Sequence, residues 1–219
     1  MNRELTFEKV GSKSGNTDQL VIFLHGYGAN GADLLNISQS FKNYFPNMVF
    51  LAPNAPFQCE GMIGGYKWFN LPWLDNSKEY DYIKTFEESL HILDEWLTQK
   101  ILYENVEDKN VFLFGFSQGT MLALHAATIR KKSLGGVLGF SGKLIEEKKF
   151  NSNLLSKCPI LLVHGDQDDV VPYNNSISAS EKLKSEGFQV NFHLTKGIGH
   201  GISPEGLQHA LNFLNQINQ

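Results

Sequence analysis

A serine flanked by glycines, Gly115-Phe116-Ser117-Gln118-Gly119, directly follows the apolar run Asn110 to Phe114 and directly precedes an amphipathic stretch beginning at Gln118. Chance alone produces a G-x-S-x-G match too often for the pattern to carry weight by itself. Its context carries the weight: strand, sharp turn and helix are what a nucleophilic serine needs, because they lift the hydroxyl to the top of a sheet. A serine hydroxyl is a weak nucleophile near neutral pH, so a base must take its proton and a carboxylate must orient that base. The base is expected at His200 in Gly197-Ile198-Gly199-His200-Gly201, a glycine-flanked histidine after the run Val190 to Leu194. The acid is expected in the loop after Pro159 to Val163, where Asp166, Asp168 and Asp169 all stand as candidates. Together these residues point to acyl transfer through a covalent serine intermediate.

Ser141, in Gly139-Phe140-Ser141-Gly142, is a rival nucleophile at another strand end, but it lacks the second glycine at the right spacing. His91, His125, His193 and His209 fall inside regular elements and read as surface or packing residues, whereas His25 and His164 each follow a strand and suit ring hydrogen bonds that hold a loop. An attacked carbonyl becomes an oxyanion, and backbone N–H groups must stabilise it. One is expected from Gln118, and the other from the turn His25-Gly26-Tyr27-Gly28-Ala29-Asn30-Gly31, with Tyr27 as the donor. That turn matches neither phosphate-binding glycine pattern.

The elements that must carry these residues alternate in type. Apolar runs at Leu5 to Val10, Leu20 to Leu24, Met48 to Ala52, Asn110 to Phe114, Gly135 to Phe140, Pro159 to Val163 and Val190 to Leu194 read as strands. Ala32 to Tyr44, Glu79 to Tyr103, Gln118 to Arg130, Asn174 to Glu186 and Pro204 to Ile217 read as helices between them. This is the rhythm of an α/β fold around a mostly parallel sheet of about seven strands, helices on both faces, with Leu5 to Val10 as an edge strand. Ser203 and Pro204 form an N-cap and first-turn pair. In the second helix, Ile83, Phe86, Leu90, Leu93, Leu97 and Leu102 mark the buried stripe.

One segment breaks the rhythm. Asn54 to Lys78 combines prolines and glycines with Met62, Trp68, Phe69, Leu71 and Trp73. Such a long, apolar loop is either a cover over a site or a satellite core. As a cover, it would supply Met62, Trp68, Phe69 and Leu71 as walls for an apolar acyl group.

The 219 residues suit one domain spanning 1–219, with 42% hydrophobic and 19% charged residues. A formal charge of −4 leaves no electrostatic footprint for nucleic acid or an anionic membrane, so a small-molecule partner is expected. No apolar run approaches a membrane span, and the first residues lack a secretory apolar core, so a soluble, cytoplasmic chain is expected. Cys59 and Cys158 fit neither a disulfide framework nor a zinc site, and Cys158 reads as a small buried hydrophobe.

In Leu24-His25-Gly26-Tyr27-Gly28, Ala52-Pro53-Asn54-Ala55-Pro56, Trp68-Phe69, Gly115-Phe116-Ser117-Gln118-Gly119, His164-Gly165-Asp166-Gln167-Asp168 and Gly199-His200, the chain resembles the phospholipase/carboxylesterase family of α/β hydrolases, over nearly its whole length. That family includes small bacterial carboxylesterases and acyl-protein thioesterases. The resemblance implies an α/β-hydrolase fold and selects Asp168 among the carboxylates. By position it carries the oxyanion donors onto the backbone of Tyr27 and Gln118, although Leu is more usual at the Tyr27 position. It implies no metal and no cofactor. The activity expected is hydrolysis of a carboxylic ester through an acyl-enzyme on Ser117. A thioesterase or lysophospholipase-like hydrolase is the alternative, and a non-catalytic ligand-binding relative a second. A peptidase shares the same residues but would need a peptide subsite, of which the sequence has no sign. An exposed part of the aromatic segment would suit a homodimer contact.

Overall fold

The computed structural model describes residues 4–145 and 154–218. Met1 to Arg3, part of the region that argued against a secretory leader, lie outside them. In chain order the strands are β1 (Phe7–Val10), β2 (Gln19–Leu24), β3 (Met48–Pro53), β4 (Phe57–Gln58), β5 (Tyr66–Lys67), β6 (Val111–Phe116), β7 (Gly136–Phe140), β8 (Ile160–Gly165) and β9 (Val190–Thr195). The helices are α1 (Gly31–Leu35), α2 (Ser38–Lys42), α3 (Pro72–Asp75), α4 (Glu79–Glu104), α5 (Gln118–Ala126), α6 (Asn174–Ser185) and α7 (Pro204–Ile217).

Seven strands form one sheet in the order β1-β3-β2-β6-β7-β8-β9, and β4 pairs only with β5. All neighbours in the large sheet are parallel except β1, which runs antiparallel to β3 at the edge. This is an α/β-hydrolase fold. The strand alternation explains the layers: Leu20, Ile22 and Leu24 of β2 enter one core with helices α4, α5 and α6, while Val21 and Phe23 enter the other with α1, α2 and α7. Side chains two apart on a strand share a face, so an all-apolar strand feeds both cores.

Three helices differ from their expected form. The helix expected over Ala32 to Tyr44 divides into α1 and α2, because Ile37, Gln39 and Ser40 each bond the carbonyl three residues back and tighten the chain between them. Helix α5 ends at Ala126 rather than Arg130, where the N–H and hydroxyl of Thr128 both take the carbonyl of His125. In α4 the buried stripe runs through Tyr82, Phe86, Ser89, Leu93, Trp96, Leu97 and Ile101. Leu102 instead faces solvent. At α7 the hydroxyl of Ser203 accepts the N–H of Gly206 at 2.9 Å, with Pro204 in the first turn, as expected.

Cys158 is buried among apolar residues, and burial pushes its thiol up to about 12. Among the described residues no helix is long and apolar enough to cross a membrane.

Candidate active site

Ser117 sits between β6 and α5 with φ 52° and ψ −115°, a conformation non-glycine residues adopt only under constraint. The constraint is local. The Ser117 N–H donates to the Phe140 carbonyl at 2.8 Å, tying the turn to the neighbouring strand. A Cβ at Gly119 would overlap the Leu24 carbonyl, so only glycine lets α5 start this close to β2. With the turn held, the Ser117 hydroxyl meets Nε2 of His200 at 3.0 Å.

His200 reaches across from the loop between β9 and α7. Its Nδ1 donates to Oδ2 of Asp168 at 2.7 Å. Asp166 helps seat that loop, since its carboxylate accepts the Gly197 N–H at 2.6 Å. Asp169 is exposed. Asp168 is buried and accepts from four donors: the N–H groups of Val170 and Val171 at 3.0 and 2.8 Å on Oδ1, and His200 with His164 on Oδ2. Burial by itself would raise the Asp168 carboxyl, but the His200 ring and the Val171 and Val170 amides outweigh it and hold the pKa below the usual carboxylate range. A carboxylate kept ionised fixes the imidazole tautomer with Nε2 free to accept the serine proton.

Ser141, the rival serine, also has a positive φ, of 49°, at the end of β7. Its N–H donates to Val163, and its buried hydroxyl meets no partner among the described residues. Among the described residues no hydrogen bond joins that hydroxyl to His200.

Tyr27, on the β2–α1 turn, lines the same cavity as Ser117, and Gln118 follows Ser117 as the first residue of α5. Neither backbone N–H donates to a protein acceptor among the described residues, so both are free to meet a developing charge. The turn carrying Tyr27 is held from beneath by His25. That ring donates from Nδ1 to the Gly26 carbonyl at 2.7 Å and accepts the Ala55 N–H on Nε2 at 3.0 Å. Burial lowers its pKa to about 4, so it stays neutral in this tautomer. From above, the Tyr27 hydroxyl donates to Asp75 at 3.2 Å, and Lys67 Nζ meets the same carboxylate at 3.0 Å.

The aromatic segment does two different jobs. Met62 and Leu71 line a cavity of about 630 Å3 that opens on Ser117 and His200, alongside Trp73, Leu74, Met121 and Val170. Trp68 and Phe69 are absent from that lining and fully buried. The Trp68 and Phe69 backbone is clamped by the side chain of Gln118, which accepts the Trp68 N–H at 2.8 Å and donates to the Phe69 carbonyl at 2.7 Å. Trp68 Nε1 donates to the His25 carbonyl at 3.0 Å, and the Ser89 hydroxyl bonds the Trp68 carbonyl. Trp68 and Phe69, expected as acyl-pocket walls, are therefore the root of the cover rather than its surface. The run Trp68-Phe69-Asn70-Leu71 has no period that would sort inward from outward side chains.

Sequence reasoning also missed the clamp made by the Gln118 side chain and the anchor at Asp75. A glutamine after the nucleophile, beside two large aromatics elsewhere, is the only signal the chain offers for the first. Asp75 left none. Among the described residues no three His, Cys, Asp or Glu side chains cluster as metal ligands.

A family model described as phospholipase/carboxylesterase matches residues 5–218. The acyl-protein thioesterase 1 homolog 1 of Dictyostelium discoideum is 31% identical over 202 residues, covering 90% of this chain and 89% of its own length. A probable SOBER1-like carboxylesterase of Arabidopsis thaliana is 30% identical, with 91% and 79% covered. Among solved structures, that of esterase PE8 is similar with a TM-score of 0.92 and 36% identity, over 98% of this chain and 99% of the other.

Proposed function

Because the chain belongs to the phospholipase/carboxylesterase family and is a carboxylic ester hydrolase, we propose that Ser117 is its nucleophile, His200 its general base and acid, and Asp168 the carboxylate that orients His200. His200 takes the hydroxyl proton as Oγ attacks the ester carbonyl, and the Tyr27 and Gln118 N–H groups receive the charge on its oxygen. The tetrahedral intermediate collapses as His200 passes the proton to the leaving alcohol, and an acyl-Ser117 ester remains. A water deprotonated by His200 then attacks that ester and releases the acid, restoring Ser117. The observation that supports this reading is the unbroken line from Ser117 Oγ through His200 to Asp168, at 3.0 and 2.7 Å.

The acyl group is placed in the cavity walled by Met62, Leu71, Trp73 and Met121, a setting for an apolar chain. Replacing Ser117 with Ala is expected to abolish turnover of a short p-nitrophenyl ester, and retention of wild-type turnover would eliminate the assignment. Mass-shift labelling of Ser117 alone by a fluorophosphonate separates this reading from a non-catalytic ligand-binding relative.

A thioester is the second reading. It is favoured by the exposed rim of Met62, Ile63, Trp73 and Leu74, an open apolar margin that would admit an acyl chain still attached to a larger thiol partner. A likeness to an acyl-protein thioesterase accompanies it. Parallel ester and thioester series across acyl chain lengths separate the two: a thioesterase shows higher kcat/KM on the thioester at matched length.

A further inference from the structure

Oδ2 of Asp168 receives two imidazole N–H groups rather than one. His200 Nδ1 lies 2.7 Å from it on the solvent side, and His164 Nε2 lies 3.0 Å from it on the buried side. We infer that His164 is a positioning residue, whose N–H on this shared oxygen sets the basicity of Asp168 and, through it, the pH at which His200 takes up its proton.

The proton positions follow from the partners. His164 Nε2 faces two acceptors, the Asp168 carboxylate and the Val171 carbonyl at 2.8 Å, so it must carry the hydrogen. Its Nδ1 faces the hydroxyl of Ser176 at 2.7 Å. Burial disfavours the imidazolium and lowers the His164 pKa, so the ring keeps its one hydrogen on Nε2, and the Ser176 hydrogen is shared between Nδ1 and the Gly142 carbonyl. The Ser176 hydroxyl donates to the Gly142 carbonyl at 2.9 Å, which anchors this assembly between α6 and the end of β7. The side chains of His164 and Asp168 are wholly out of solvent, so bulk water does not compete for the contact.

Oδ1 of Asp168 is already taken by the Val170 and Val171 amides, so the carboxylate cannot turn to offer His200 a different oxygen. His200 must therefore share Oδ2, and a second donor there draws off part of the negative charge that would stabilise its imidazolium. Removing the His164 N–H leaves that charge to His200 alone, which raises its pKa. The other groups around the pair are engaged elsewhere or exposed. From the β8 loop, Asp166 is bound to the Gly197 N–H and Asp169 points to solvent. From α6 and the end of β7 come Ser176 and Gly142, and from the serine turn come Ser117 and Phe116, the latter ring 5.0 Å from that of His200. Lys143, the cation that lines the cavity, is drawn to Trp73, its Nζ 4.2 Å from that ring.

The effect on rate rests on the proposed roles of Ser117, Asp168 and His200, while the titration of His200 does not. The test is therefore an NMR titration of His200 in the wild type, His164→Leu, His164→Gln and Ser176→Ala, with kcat and KM on a short p-nitrophenyl ester across pH. In His164→Leu, His200 is expected to titrate about 0.5 to 1 pH unit higher, and the acid limb of kcat/KM to move with it. At the pH optimum kcat should fall about tenfold with KM within about twofold. His164→Gln, whose amide N–H can reach the same oxygen, should recover part of the shift. Ser176→Ala, which frees the ring without deleting it, should show a smaller one. A purely structural role would lower the folded fraction without moving the titration. The inference is overturned if His200 titrates at the wild-type pH in every variant that folds. Failure of the nucleophile assignment would show separately, as turnover surviving in Ser117→Ala.

Discussion

The carboxamide of Gln118 holds the backbone of Trp68 from both sides, accepting its N–H at 2.8 Å and donating to the next carbonyl, that of Phe69, at 2.7 Å. The residue whose N–H we propose receives the oxyanion is thus also the one that fastens the aromatic segment to the serine turn. The proposed nucleophile, the proposed charge-stabilising donor and the segment that supplies cavity walls are joined through one buried side chain.

Gln118→Leu removes both hydrogen bonds and leaves a buried N–H and a buried carbonyl unpaired. Stability is expected to fall by about 2 to 6 kcal/mol, since each of the two orphaned buried groups costs about 1 to 3 kcal/mol. Urea midpoints measure the loss. Activity per folded molecule should fall with it, because the cover and the donor move together, and full activity at reduced stability would uncouple them.

Ser117 holds a positive φ that glycine adopts without penalty. Ser117→Gly is expected to be more stable than Ser117→Ala by about 1 kcal/mol, through relief of local strain. Both should lack esterase activity. Thermal midpoints of the two inactive variants supply the comparison, and equal midpoints would mean that the turn is not strained.

Burial lowers the imidazoles of His25 and His125 to about 4 each, against an ordinary value of 6.5. The unfolded chain then binds protons more readily than the folded one, so stability falls as pH drops from about 6.5 to 4 and levels off below. Each group contributes a loss on the order of 3 kcal/mol. Urea unfolding at pH 7 and 4.5 measures it, and His125→Gln should show a distinctly shallower fall than the wild type.

Asp75 titrates at the opposite end. Burial would raise its carboxyl, but hydrogen bonds from Ser77 and the Leu71 amide, with Lys67 beside it, bring it down to about 2 from 3.8. Its contribution is present in full above about 3.8 and is lost as pH falls toward 2. Asp75→Asn should therefore be less stable than the wild type at pH 6, with the gap narrowing at pH 2.5. It should also loosen the turn at Tyr27, seen as a reduced kcat on short esters.

Much was legible in the residues alone. The apolar runs specified seven strands and their two buried faces because a strand covered on both sides has no polar positions to spare. The order serine, acid, histidine was legible because each stands just beyond a strand end, where loops from parallel strands converge on one sheet edge. Choosing Asp168 over Asp166 and Asp169 required the family pattern, since all three share one loop and composition cannot say which carboxylate turns inward. Only the tertiary structure decided which residues of the aromatic segment face the cavity and which its root, because an irregular loop has no period to sort its side chains. The second histidine on Asp168 likewise appears only when β8, α6 and the end of β7 pack together, since a shared hydrogen-bond acceptor is a property of three-dimensional approach and leaves no spacing in the chain.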